Sequence, residues 1–114
     1  MSGDEQLQIV TQQRADRLVL ELHGELDMVS SPRLGETFAG LGADGPGTVV
    51  LDLRGVSFLD STGLKAIFGA RNAAHKRGQQ FAVTPGSPQV QRLLSLTRLG
   101  DHLTTIDTPD AVLV

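Results

Sequence analysis

The sequence has no cysteine, tryptophan or tyrosine, and its only aromatic residues are four phenylalanines. The lack of thiols removes disulfide frames, thiol nucleophiles and thiolate metal sites. So few rings leave no stacking platform for nucleic-acid bases. Positive charge is also scarce: ten Lys and Arg stand against thirteen Asp and Glu, a net charge of −3. That balance gives no electrostatic footing on nucleic acid or on an anionic membrane. No apolar run approaches membrane-spanning length. The opening residues Met1–Gln6 are polar and acidic, unlike a signal peptide. A cytoplasmic protein is expected. The three histidines, His23, His75 and His102, are scattered without paired spacing and read as surface or strand-edge residues, not as a metal site. No repeat, low-complexity tract or linker divides the chain, so residues 1–114 are expected to form a single domain.

What is present is an alternation of short apolar runs and helix signals. Leu7–Val10 and Leu18–Leu22 suit strands, with Leu18, Leu20 and Leu22 on one face, and the polar Gln12–Arg17 between them predicts an antiparallel hairpin. Gly24-Glu25-Leu26-Asp27 then closes the second strand with two carboxylates. Ser31 before Pro32 reads as an N-cap followed by proline at the first helical position, and Leu34, Phe38 and Leu41 supply the buried stripe. Gly40 to Gly47 is expected to end that helix in a flexible connection. Thr48–Leu53 is apolar enough to be covered on both faces, and Gly55 is expected to break it.

After Val56–Leu59 and Asp60-Ser61-Thr62-Gly63 the period changes. Leu64, Ile67, Phe68 and Arg71 predict a one-sided helix that ends at Lys76, Arg77 and Gly78. Phe81–Val83 is a further strand, and Ser87-Pro88 opens a helix with Val90, Leu93, Leu94 and Leu96 turned inward and Gly100 as its stop. Leu103–Ile106 reads as a final edge strand, and Thr108-Pro109-Asp110 as one turn of a fourth helix. The order predicts an α/β domain: a small mixed sheet with an N-terminal antiparallel hairpin, then parallel β-α-β units with packed helices.

Several motifs suggest chemistry and fail in context. Gly40-Leu-Gly42-Ala-Asp-Gly45 matches G-x-G-x-x-G, but it ends a helix and precedes a strand, the reverse of a dinucleotide fingerprint. Pro46-Gly47 stands where a phosphate-binding loop needs Lys and Ser or Thr. Leu59 occupies the small-residue position of a nucleophile elbow, and no histidine motif supplies a base for Ser61. Glu25 and Asp27 as a carboxylate pair compete with a solvated strand end.

Asp60 and Ser61 lie at the mouth of a helix that follows a buried strand. Either side-chain oxygen suits the free first-turn N–H groups, so helix capping is their simplest role. Capping does not account for the composite of Gly24–Asp27, a buried strand and Asp60-Ser61-Thr62-Gly63-Leu64. With the Leu93–Gly100 segment, this composite resembles the STAS domain and, within it, the bacterial anti-sigma factor antagonists, over about residues 7–113.

The resemblance implies a regulatory binding module and not an enzyme, with no cofactor. It implies phosphorylation at Ser61 by a partner serine kinase that is also the anti-sigma factor, and reset by a serine phosphatase. The implied partner-binding set is Glu25, Asp27, Asp60, Ser61, Thr62, Gly63, Leu64 and Lys65. Lys65 departs from the glycine frequent at its place in the family and adds a cation to the first turn. Other readings are a binding module of another complex, such as a stressosome subunit or lipid-transport accessory, a domain split from an anion transporter, and a nucleotide-binding or hydrolysing protein.

Overall fold

The structure, a computed structural model, describes residues 6–41, 47–98 and 102–113. Its elements are β1 (Leu7–Arg14), β2 (Arg17–Leu26), α1 (Ser31–Gly40), β3 (Thr48–Leu59), α2 (Ser61–Lys76), β4 (Gln80–Val83) and α3 (Pro88–Thr97). The strands form one sheet in the order β1-β2-β3-β4, antiparallel for the first pair and parallel thereafter. The mixed α/β architecture expected from the sequence is the one observed.

The hairpin is longer and tighter than its apolar runs indicate. β1 and β2 pair from Leu7↔Gly24 to Arg14↔Arg17, which leaves Ala15 and Asp16 as the turn. β3 also runs further than expected. Gly55 does not break it; the strand passes through with register shifts against β2 between Glu21 and His23 and between Gly24 and Glu25. Two extra residues of β3 are absorbed there as bulges.

Leu18, Leu20, Leu22, Val49, Leu51, Leu53 and Val83 point from the sheet into the main core. They meet Leu34 and Phe38 of α1, Ile67, Ala70 and Ala74 of α2, and Val90 of α3. Alternation sends Val19, Val50 and Ala82 to the opposite face, where Ile106, Ala111 and Leu113 cover them. The double coverage expected of Thr48–Leu53 is present, but its second layer is the extended C-terminal segment. Arg17 fixes that segment, donating to the carbonyls of Pro109 at 2.9 Å and Ala111 at 2.7 Å.

Local expectations shift where side chains compete for the same task. The N-cap of α1 is Ser30 and not Ser31, and its side chain makes no capping bond. In α2 the stripe is Leu64, Ile67, Ala70 and Ala74, with Phe68 and Arg71 only partly buried, because the alanines let the helix lie close to the sheet. Arg77 and left-handed Gly78 (φ 75°) end it as expected. Ser87 caps α3 by accepting from the Val90 N–H at 3.4 Å. Leu96 is 72% exposed and not part of the buried side. The final strand reduces to a single parallel bridge between Val83 and Thr105, and the Thr108–Asp110 segment is a turn. The expected Gly100 stop and the Gly42–Gly45 part of the glycine motif lie outside the described residues. Among those described, no helix is long and apolar enough to cross a membrane, and no acid–histidine cluster is suited to a metal.

One buried carboxylate sits in the sheet. Asp52, 5% exposed, accepts from Thr84 Oγ1 at 2.9 Å and from Arg54 Nε and Nη2 at 2.9 Å each. Burial pushes this carboxyl up, but the Arg54 side chain, the Arg54 N–H and the Thr84 hydroxyl outweigh burial and hold it below its ordinary value.

Candidate functional site

The site is built where β2 and β3 end side by side, with Glu25 paired to Phe58 and Leu26 to Leu59. One residue on, the Asp60 N–H reaches the Leu26 carbonyl at 3.4 Å. Asp60 is extended (φ −111°, ψ −175°), and its Oδ1 accepts from the Gly63 N–H at 2.8 Å while its carbonyl accepts from the Leu64 N–H at 2.9 Å. The cap is therefore Asp60. Ser61 is the first helical residue of α2 and is exposed. The aspartate takes up the capping geometry that either residue suits, and leaves the hydroxyl at the positive end of the helix.

Gly63 ties the two motifs together. A Cβ at this position would lie 2.1 Å from the Leu26 carbonyl oxygen and 2.8 Å from Leu59 Cδ1. Only a residue without a side chain lets the first turn of α2 rest on the end of β2. Gly24, at φ 110°, makes a second close approach, its Cβ position 2.1 Å from the Gln6 carbonyl oxygen. That approach lets the Glu25 N–H donate to the Gln6 carbonyl at 2.8 Å.

Asp27 is occupied with structure. Its Oδ1 accepts from the Val29 N–H at 3.0 Å and the Ser30 N–H at 3.1 Å, and its own N–H donates to Ser30 Oγ at 3.0 Å. Gln6 Nε2 donates to Oδ2. Burial pushes the Asp27 carboxyl up, but these donors together hold it below the ordinary value. This turn delivers the chain into α1, which explains the missing side-chain cap at Ser30: its hydroxyl donates instead to the Glu25 carbonyl at 2.7 Å.

The structure thus brings Glu25, Asp27 and the segment from Asp60 to Lys65 to one end of the sheet, and divides their roles. Glu25, Ser61 and Lys65 are exposed, and Asp27, Asp60 and Thr62 are partly buried. Gly63 and Leu64 are buried, Leu64 with 1% exposure, so in the free chain they support the turn from beneath. Three residues absent from the sequence reading join this end of the sheet. Met28 and Val29, next to Asp27, are 70% and 64% exposed, and Phe58, opposite Glu25, is 38% exposed. An apolar pair beside a turn residue is the only trace that Met28 and Val29 leave in the sequence. Phe58 is turned outward by the second bulge. Exposed apolar side chains around a polar centre are a common form of protein-binding surface.

Comparison with known proteins agrees with this geometry. The STAS domain matches residues 6–112. An anti-sigma-B factor antagonist of Staphylococcus aureus is 30% identical over 82 residues, spanning 72% of this chain and 76% of that protein. The crystal structure of an anti-sigma factor antagonist from Mycobacterium paratuberculosis is 29% identical and superposes with a TM-score of 0.82, covering 96% of this chain and 93% of the other. The Bacillus cell fate determinant SpoIIAA in its phosphorylated form, 18% identical, shares the fold with a TM-score of 0.67 over 90% of this chain and 94% of that one. By sequence and by structure, this chain belongs to the STAS domain family, alongside the anti-sigma factor antagonists.

Proposed function

We propose that this chain is the antagonist in a partner switch. Unphosphorylated, it binds an anti-sigma factor that is also a serine kinase and so frees the sigma factor; phosphate on Ser61 ends that binding, and a serine phosphatase restores it. The supporting observation is the division of labour at the mouth of α2. Asp60 caps the helix, so the exposed Ser61 hydroxyl owes nothing to the fold and is open to a kinase.

A phosphoryl group adds about −1.5 to −2 charges and three acceptor oxygens. In the free protein it meets the N-terminal end of α2, which favours it by roughly 0.3–1 kcal/mol. In a complex it would be pressed against a partner across Met28, Val29 and Phe58, with the Asp60 carboxylate adjacent. Bulk and unpaired charge there oppose docking. The relatives are regulatory proteins, and in this reading the chain performs no catalysis of its own.

The test is incubation with candidate kinases and ATP, followed by tandem mass spectrometry. Modification is expected at Ser61 with Thr62 spared, and Ser61→Ala should abolish it. Phosphate on Thr62 alone would displace the site by one residue. Capture of a transport or stressosome component in place of an anti-sigma factor would keep the surface and change the pathway.

A further inference from the structure

The sheet has two edges, and the molecule treats them differently. β4 is four residues long, and the chain returns along it: the Val83 N–H donates to the Thr104 carbonyl and the Ile106 N–H to the Val83 carbonyl, each at 2.9 Å. β1, at the other edge, is eight residues long and pairs with β2 without a register shift. No described segment pairs with its outer side. The outward N–H and C=O groups of such an edge form a template for another strand. Edges are usually blunted by proline, lysine, a bulge or a covering loop; here Arg33 of α1 donates to the Leu7 carbonyl at the start of β1, and from Ile9 to Gln13 the strand carries none of these devices. The only charge is Arg14, at the end. In mid-strand, Ile9 on the core face is only partly buried, and Val10 on the other face is 41% exposed. No described strand lies beyond either of them.

We propose that the outer edge of β1 is a self-association site, occupied by β1 of a second copy running antiparallel. A two-fold axis normal to the sheet keeps the faces of both copies aligned, so residues that pair have the same parity. An axis through Val10 sets Val10 beside Val10 of the second copy, Ile9 beside Thr11, and Gln8 beside Gln12. The strand is complementary to itself: β-branched residues meet at the centre and amides meet further out. The two Arg14 residues lie about eight residues apart, roughly 27 Å, so no like-charge pair forms. This match between the two halves of β1 favours a second copy over an unrelated strand. In the resulting eight-stranded sheet the Ser61 turns stay open and point in opposite directions along the strands. The association is independent of the partner-switch reading.

One strand per copy is a small interface, at the low end of specific contacts. Sedimentation velocity on the full chain over rising concentration should show the mass moving from one chain to two. Val10→Lys and Val10→Glu should each remain monomeric at the loading where the wild type pairs, because each places like charges directly opposite. An equimolar mixture of the two variants should pair again. Circular dichroism on each variant separates loss of pairing from loss of fold, and Val10, 41% exposed, has room for either side chain. A wild type that stays monomeric at every concentration, dimers that persist in both single variants, or a mixture that fails to pair would each overturn the proposal.

Discussion

Two glycines of the same helix serve opposite ends, which single substitutions can show. At Gly63 a methyl group would meet the Leu26 carbonyl oxygen and Leu59, while at Gly69 nothing lies within 4 Å. Gly63→Ala should lower stability by at least about 1–3 kcal/mol, the usual cost of overpacking, because a backbone carbonyl cannot rotate away. Gly69→Ala should raise it by roughly 0.5–1 kcal/mol, the difference in helix propensity. Urea unfolding of both variants checks this, and equal effects would mean that the contact at Leu26 is not what fixes the turn. At this scale the sequence was partly legible. It placed Asp60 and Ser61 at the helix mouth but left open which of them caps, because both oxygens suit the geometry. It also put the first helix one residue late, since the Asp27 side chain holds the Val29 and Ser30 N–H groups in a turn that already brings the chain to helical geometry at Ser30.

Elements were legible where periodicity carried the signal, as in α2 and in the buried half of β3. They were less legible where a polar strand edge or a bulge hides alternation. β1 extends through Thr11–Arg14 because β2 holds it there, not because of its own apolar pattern. Phe58 faces outward because the bulge reverses the parity that Val56 would set. The two depressed carboxylates also act on elements: Asp27 fixes the entry to α1, and Asp52 links β3 to Thr84, just past β4.

A carboxyl whose folded pKa lies below its unfolded value contributes stability above that value, and the contribution is lost as pH falls through the folded pKa. With 3.8 as the ordinary value, both contributions are present near neutrality and fade in acid below it. Relative to Asp27→Asn/Asp52→Asn, the wild type should be more stable at about pH 6, with the gap closing toward about pH 2. Unfolding free energies across that range test it, and a gap independent of pH would assign the effect to shape and not charge. Asp27→Ala alone should cost about 0.5–2 kcal/mol, as loss of a cap does. Its effect on partner binding is therefore to be read only after correcting for the folded fraction by thermal unfolding.

For the molecule as a whole, the sequence conveyed the order of elements and the helix mouth at which Asp60 and Ser61 stand, but not what covers the second face of the sheet. Ile106, Ala111 and Leu113 follow no helical or strand period, so their assignment depended on tertiary contacts. That architecture separates the packed core from the helix mouth. Leu64 and Ile67 point into the core and Ser61 points out, so a phosphate on Ser61 displaces no packed atom. Lys65 lies one helical turn along the same face, at the i+4 spacing that favours an ion pair by about 0.2–0.5 kcal/mol, and the end of α2 adds its own favourable field. Phosphorylated protein should therefore melt within a few degrees of the unmodified form, since about 1 kcal/mol moves the midpoint of a domain of this size by roughly 4–8 °C. Its affinity for the anti-sigma factor should fall at least tenfold, about 1.4 kcal/mol. Calorimetry of both forms, alone and with the partner, measures the two quantities independently. A large fall in melting temperature would make phosphorylation an unfolding signal, and unchanged affinity would leave the modification without a consequence for binding.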